Sequence, residues 1–339
     1  MNITIVDTKT IREISNMPAN LRLSFIVILN RKDPSSVRCI VSEFGGQVHH
    51  RVAEAVKYVA ALLTEQVPES HLSGTGAEQG ILSTILFQAA DRPVDMPSVG
   101  WESQMDWNNI RLVPDLYYFK AHGYADFLPP GSSDCPEWND RNPTIFWRGQ
   151  TTGMLNITSD SLQQLPRYRL CRAAQRLGVK ADVGLTGVVQ AASPEHHKQV
   201  VAIITADQIM KPFVKFKQFA AHKFVIDIDG NASAWNFVQK LRLGACILKT
   251  GSKWRQWMSD RLIPWHHYVP IAEDLRDFEE KIDWCFSNDS AVKEIAANGR
   301  LFALSLDFGD EMRLAAKQLR LSAGDSVSEA LRAFSAKCV

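Results

Sequence analysis

Residues 223–249 read KFVIDIDGNASAWNFVQKLRLGACILK, and this stretch decides the fold. FVIDI is a short apolar run of strand type, ended by Asp227-Ile228-Asp229-Gly230. AWNFVQKLRLG carries helical spacing as far as Gly244, and ACILK is a second strand-like run. Strands that alternate with helices in this way predict parallel βαβ units and an α/β protein. In an open parallel sheet, ligands collect where strand C-termini meet helix N-termini. The segment DGNASAW occupies such a place. The unpaired amides of a helix's first turn, with its positive dipole end, suit a phosphate. Ser233 or Asn231 is the expected cap of that helix, and Gly230 permits a close backbone approach. The competing reading is an ordinary β-to-α turn that binds nothing.

Asp227 and Asp229 admit three readings. They can hold a divalent ion on a diphosphate, as the metal-binding Asp-x-Asp of many glycosyltransferases does. They can present a phosphoryl-accepting carboxylate, since Asp-x-Asp-Gly at a strand end resembles the motif of haloacid-dehalogenase-like phosphatases. They can also organise the loop, accepting hydrogen bonds from its amides or from substrate hydroxyls. Asp227 falls inside the strand, no second carboxylate cluster stands nearby, and Asn231 follows the glycine where the phosphatase motif wants Thr or Val. The third reading is favoured.

Working outward, the second half continues the alternation. TIFWRGQ (144–150) is a strand leading into a loop, and PRYRLCRAAQRLG is a helix closed by Gly178. DLRDFEEKIDWCFSND places Leu275, Phe278, Ile282 and Cys285 on one helical face. In the first half, LRLSFIVILN (21–30) ends as a strand, followed by a turn at Asn30-Arg31-Lys32-Asp33-Pro34. RVAEAVKYVAALLTEQ aligns Val52, Val56, Val59 and Leu63, and ILSTILFQ (81–88) is a buried strand. DFLPPGSSDCPEWNDRNP (126–143) is the stretch richest in Pro, Gly, Ser and Asp, and reads as a link between two domains. The domains expected are 1–140, 141–309, and a helical segment 310–339 that returns to pack on the N-terminal domain.

The 339 residues suit two domains of roughly 150 residues each. Hydrophobic residues make up 45% and charged residues 22%, the balance of a globular chain rather than a disordered one. A net charge of +1 argues against a nucleic-acid partner. Cys39, Cys135, Cys171, Cys246, Cys285 and Cys338 are scattered without a C-x-x-C pair, so neither zinc nor a disulfide framework is indicated. The N-terminus lacks the pattern of a secretory signal, and no apolar run reaches 18 residues. A cytoplasmic location follows as the expectation.

The segments 223–249 and WRQWMSDRLIPWHHYVPIAEDLRDFEEKIDWCFSNDSAVKEIAANGRLFA (254–303) resemble glycosyltransferase family 90. A Phe-Arg-Gly-like segment, Phe146 to Gly149, precedes them in the expected place. Members of that family include capsule-associated xylosyltransferases, protein O-glucosyltransferases and bacterial lipopolysaccharide-modifying enzymes. Asp-Gly-Asn-Ala-Ser-x-Trp is most similar to the last branch. The resemblance implies two Rossmann-like domains facing a cleft (the glycosyltransferase B-type fold). It implies an inverting transfer from a UDP-sugar to a hydroxyl of a glycan acceptor such as lipopolysaccharide or capsule, with no obligatory metal and no cofactor. A lipid-linked acceptor would be met at the inner membrane by peripheral contact.

Residue roles carry over from the resemblance. Gly149, Gln150 and Thr151 would approach the nucleotide, and Arg167 would contact the diphosphate. Asn231, Ala232, Ser233, Ala234, Trp235 and Asn236 would wrap the diphosphate and sugar, with Asp229 and Gly230 at their start. Asn236 replaces a family arginine, which shifts phosphate charge to Arg167 with Arg148, Lys223 or the helix amides. The catalytic base would be an aspartate in an Asp-x-Pro setting, matched here by Asp91, Arg92 and Pro93. An inverting transfer needs such a carboxylate to take the acceptor's proton, and positive charge where the diphosphate leaves. Asp115 is the substitute base.

Several residues carry a plainer reading beside these. Arg148 can fix its loop through an ion pair instead of holding phosphate. The pairs His49-His50, His196-His197 and His266-His267 are poor joint metal ligands, because adjacent side chains on an extended segment face opposite ways. Trp101, Trp107, Tyr117, Tyr118 and Phe119 form either a sugar-stacking wall or core. Two other functions stand as alternatives: a Mg-dependent phosphatase or phosphotransferase using Asp227, and a non-catalytic nucleotide-sugar-binding protein.

Overall fold

The computed structural model describes residues 2–7, 23–30, 33–41, 43–44, 47–65 and 82–322. Cys338, the end of the expected C-terminal helix, and Arg31 and Lys32 of the expected turn lie outside them. The first 123 residues hold strands β1 (Asn2–Asp7), β2 (Ser24–Asn30), β3 (Asp33–Val41), β4 (Glu43–Phe44) and β5 (Gln47–Val48). Helix α1 (His50–Thr64) follows, then β6 (Leu82–Gln88), β7 (Ser98–Gly100), β8 (Ser103–Gln104), β9 (Ile110–Leu112) and α2 (Leu116–Lys120). The next stretch holds β10 (Asn142–Gln150), α3 (Pro166–Gln175), β11 (Ala181–Gly187), α4 (Pro194–Ala206), β12 (His222–Asp227), α5 (Phe237–Arg242) and β13 (Cys246–Thr250). After them come β14 (Trp254–Arg255), β15 (Val269–Ile271), α6 (Phe278–Ser287), α7 (Asp289–Ser305) and α8 (Phe308–Leu321).

These elements form two compact α/β units. One comprises Met1–Gly123, Trp254–Asp260 and Asp307–Val339; the other comprises Tyr124–Lys253 and Arg261–Leu306. The chain therefore enters the second unit at Tyr124 rather than at 141, and the stretch 126–143 belongs to it. Its composition is that of a linker, but three arginines, two of them buried, pin it down. Arg141 donates to Pro136 O at 3.1 Å, Ala220 O at 2.8 Å and Leu243 O at 3.0 Å. Arg242 donates to Phe127 O at 3.1 Å, and Arg300 to Leu128 O at 2.9 Å. Carbonyls with no sheet or helix partner are satisfied in this way, as burial demands.

The second unit is built on a five-stranded sheet in the order β11-β10-β12-β13-β15, every pair parallel. Its inner strands are continuous apolar runs because helices cover both faces. Phe224, Val225 and Ile226 of β12 and Cys246, Ile247 and Leu248 of β13 are all buried. The seam expected on α6 is present: Phe278, Ile282 and Cys285 are buried, while Leu275 lies before the helix begins. From β10 the chain passes to β11 on one side, and β12 then adds on the other. The strand order reverses there, so the loops after β10 and β12 flank a topological switch point.

The first unit has a mixed sheet, β1-β3-β2-β6-β7-β9. Pairs β2·β3 and β2·β6 are antiparallel, and β1·β3, β6·β7 and β7·β9 are parallel. Helix α1 buries Val52, Ala55, Val56, Tyr58, Val59 and Leu62, so its apolar stripe runs through Leu62 where Leu63 was expected. Arg320 of α8 donates to Leu63 O at 3.2 Å and Glu65 O at 2.7 Å, satisfying carbonyls at the end of α1. Trp257 Nε1 donates to the Glu311 carboxylate at 3.0 Å. Trp101 and Tyr118 are fully buried, which makes them core rather than a sugar-stacking wall.

Candidate functional site

The loops after β10 and β12 meet through Arg167, in the first turn of α3. Its Nε donates to Asp229 O at 2.8 Å, Nη1 to Gln150 O at 3.1 Å and Nη2 to Ile228 O at 3.4 Å. The guanidinium also lies over the Trp147 ring, 5.6 Å from its centroid. Burial brings its pKa down to about 10, against the pull of Asp229 and Asp227, so the group stays cationic at neutral pH. One cation thus ties the C-terminal ends of two adjacent strands at the switch point.

Glycines make this closeness possible. A Cβ on Gly230 would stand 2.8 Å from Thr152 Oγ1 and 2.9 Å from Arg167 Nη2. Gly153, at φ +123°, donates its N–H to Asn231 Oδ1 at 3.2 Å, a backbone state that only glycine adopts freely. Gly230 N–H turns back to Ala232 O at 2.9 Å. Gln150, Gly153, Arg167, Asp229, Gly230 and Asn231 are therefore drawn into one cluster.

Beneath the cluster lies a buried charge network. The Asp227 carboxylate is wholly enclosed, with Lys240 Nζ at 2.6 Å and Lys249 Nζ at 3.0 Å. Burial alone would raise its pKa, but the two ammonium groups outweigh burial and hold it below the ordinary carboxylate value. A nucleophile must reach its electrophile, and this carboxylate faces two lysines instead. The phosphatase reading of Asp227 loses its ground. Asp229 lies above it: Ser252 Oγ donates to Oδ2 at 2.6 Å, whereas Oδ1 is enclosed without a hydrogen-bond partner. Burial, outweighing Lys249 and Ser252, pushes the Asp229 carboxyl up to about 6.

Other expected contacts take different positions. Arg148 turns to Asp182, with Nη2 2.8 and 2.7 Å from its two carboxylate oxygens and Nη1 2.8 Å from its carbonyl. That is the ion-pair role, and it removes Arg148 from the phosphate ligands. Lys223 pairs with Asp289 at 2.7 Å, near the start of β12 and away from the loop that ends it. Thr151 is buried, its hydroxyl donating to Val189 O and accepting from Val189 N, both at 2.8 Å, so it staples two loops instead of facing a nucleotide. Gly149 makes room for Trp147, whose Cζ2 would lie 2.5 Å from a Cβ there.

The helix expected from residue 234 begins only at Phe237, and neither Ser233 nor Asn231 caps it. Ala232 and Ala234 are buried, Ser233, Trp235 and Asn236 are half-buried, and Asn236 occupies the cap position without a side-chain bond. A helix of fewer than two turns offers little dipole, so side-chain cations carry the positive charge of this site.

Lys240, Lys249 and Ser252 were missed by sequence reasoning. A signal existed for Lys249: a parallel pairing that sets FVID against CILK puts it beside Asp227, and the register shows that pair. His267 is buried and accepts from Ile263 N at 3.0 Å, and His49 caps α1. Among the described residues, no group of three or more His, Cys, Asp or Glu could hold a metal ion.

In the first unit, Asp91 lies on the loop after β6, 2.5 Å from Arg51 Nη1 and one-third exposed. Asp115 instead caps α2, its Oδ1 accepting from Tyr117 N at 2.8 Å and Tyr118 N at 2.9 Å. Its burial fits a structural group better than a base at an open site.

The uncharacterized protein 179R of Invertebrate iridescent virus 6 is 31% identical over 183 residues, 49% of this chain and 15% of that protein. Human protein O-glucosyltransferase 3 is 24% identical over 219 residues, 63% of this chain and 39% of that protein. The chain thus spans less than half the length of these relatives. Among solved structures, Anabaena HepE in complex with UDP-glucose aligns with a TM-score of 0.36 at 12% identity, over 52% of this chain and 48% of that one. The sequence model described as glycosyl transferase family 90 matches residues 131–309, more than half of the chain and almost all of the unit that carries the Arg167 cluster. The chain belongs to glycosyltransferase family 90.

Proposed function

We propose that the protein is an inverting glycosyltransferase that moves a sugar, glucose or xylose or a similar one, from a UDP-sugar to a hydroxyl of a glycan acceptor. The observation that carries this reading is the Arg167 cluster at the switch point of a parallel sheet, in a chain of this family. Arg167 supplies positive charge where the diphosphate leaves, and the 229–236 loop cradles the donor. Asp91 takes the proton of the acceptor hydroxyl as its oxygen bonds to the anomeric carbon and the diphosphate departs. Neither a metal nor a cofactor is part of the reaction. Lipopolysaccharide or capsule is the acceptor class proposed, and the name of the human relative adds protein hydroxyls to those worth assaying. Among the described residues, no helix is long and apolar enough to cross a membrane, so a lipid-linked acceptor would be met by peripheral contact.

Calorimetric titration with UDP and UDP-sugars, in EDTA and in Mg2+, tests the reading. Binding that is unchanged by EDTA, and lost in Arg167→Met, is expected. Asp91→Asn should keep donor affinity and lose transfer by a factor of about 10² or more. Failure of every nucleotide to bind, or full transfer by Asp91→Asn, would overturn it.

A further inference from the structure

We infer that Arg51 is the positioning residue of the base: it holds Asp91 by one carboxylate oxygen, Oδ1, so that the other, Oδ2, stands open to take the acceptor's proton. The inference rests on the assignment of Asp91 as the base. Arg51 Nη1 donates to Oδ1 at 2.5 Å, a charge-assisted bond that fixes the plane of the carboxylate. Among the described residues, nothing donates a hydrogen bond to Oδ2. The Asp91 side chain is one-third exposed, so a hydroxyl can reach it from solvent. A carboxylate bonded at both oxygens would have to give up a contact before it accepted a proton. Held at one, it is oriented and still open at the other.

Both partners are braced from behind. Gln88, the buried last residue of β6, donates Nε2 to Val94 O at 2.8 Å and accepts from Val94 N at 2.7 Å, and the same Nε2 lies 2.7 Å from Ser98 Oγ. These bonds close the loop that carries Asp91, and Pro93 within it is buried. Arg51 stands in the first turn of α1, its N–H donating to His49 Nδ1 at 3.2 Å, and Val52, Ala55 and Val56 anchor that turn in the core. An ordinary surface ion pair joins two mobile side chains and contributes little. Here the pair ties a fixed helix start to a braced loop, and its effect falls on geometry, which a catalytic group needs to a fraction of an ångström. In the transfer, Oδ2 gains the proton as the acceptor oxygen bonds to the anomeric carbon. The bond from that carbon to the diphosphate breaks, and its electron pair leaves with UDP. Arg51 keeps its bond to Oδ1 and neither gives nor takes a proton.

The experiment follows UDP release from UDP-glucose, UDP-xylose and UDP-galactose by the full chain, with water as the acceptor. Arg51→Met should lower kcat by about ten- to a hundredfold, the effect of a misplaced catalytic group, and leave KM for the donor and the melting temperature near wild type. Arg51→Lys keeps a cation and should recover part of the loss, which keeps the test valid should the methionine variant fail to fold. Adding Arg51→Met to Asp91→Asn should cost nothing further, because a residue that acts through the base has no effect once the base is gone. A merely structural residue would slow both backgrounds alike. Wild-type kcat in the folded Arg51 variants, or an equal further loss in the Asp91→Asn background, would overturn the inference. Undiminished UDP release by Asp91→Asn, or none from any of the three donors by wild type, would instead overturn the reading on which it rests.

Discussion

Asp115 shows how far one carboxyl can depart from its neighbours. Its Oδ1 holds two amides of α2, while Oδ2 and the nearby Tyr58 hydroxyl are enclosed without partners. Burial pushes its pKa up to about 7. The folded protein therefore binds this proton more tightly than the unfolded chain, whose aspartates titrate at about 3.9. Stability from this group is fully present at acid pH and falls as pH rises from about 4 to about 7. Asp115→Asn keeps the cap and removes the buried charge. Its melting temperature should exceed wild type at pH 8, by a stabilisation on the order of a few kcal/mol, with the gap closing toward pH 4. Asp229, raised to about 6, acts in the same direction, whereas Asp227 acts oppositely. Held below its ordinary value by Lys240 and Lys249, Asp227 contributes stability above the unfolded value that is lost only as pH falls through its folded value. Asp227→Ala would leave Lys240 charged and buried, and urea unfolding should report a loss of about 3–5 kcal/mol. The letters DID show none of this, because the distinction lies in residues 13 and 22 positions further along the chain.

At the level of elements, apolar pattern was a dependable guide. β12, β13 and the buried seam of α6 were legible because burial on both faces forces continuous hydrophobic runs and one stripe per helix. The start of α5 was not. Ala-Ser-Ala is compatible with helix, but the turn closed by Gly230 and Ala232 and the burial of two alanines hold the chain out of it until Phe237. The role of Arg148 could be weighed in advance but not decided, since Asp182 meets it only through the pairing of β10 with β11. The stretch 126–143 misled because its carbonyls are bonded by arginines, two of which, Arg242 and Arg300, are distant in sequence. Gly149→Ala tests the packing of β10: the added carbon would meet the Trp147 ring at 2.5 Å. Denaturant unfolding should show a loss of about 1–3 kcal/mol. Gly230→Ala should instead act on the site, displacing Arg167 and weakening UDP binding more than it lowers the melting temperature.

Across the whole molecule, the α/β class follows from the alternation of pattern, but the mixed sheet of the first unit does not. Antiparallel pairing of β2 with β3 and β6 is decided by connections that no local periodicity encodes. The route of the chain was equally hidden. It crosses between the units four times, at Gly123–Tyr124, Lys253–Trp254, Asp260–Arg261 and Leu306–Asp307. Removal of Asp307–Val339 takes away α8, with its Arg320 bonds to the end of α1 and Glu311 beside Trp257. Hydrogen exchange on that truncated chain should show α1 and β6 losing protection while β12 and β13 retain it.

That route also sets a timetable for synthesis. The parallel sheet of the second unit is complete once Ile271 has left the ribosome, and α6 and α7 follow at once. The unit that begins at the N-terminus must wait for its last helix, because Arg320 reaches a carbonyl 257 residues earlier in the chain. Loop closure over such a span is slow, and the unfinished sheet meanwhile exposes apolar surface and open strand edges. The half translated first is thus the half that matures last, and the nascent chain needs shelter there rather than around the Arg167 cluster.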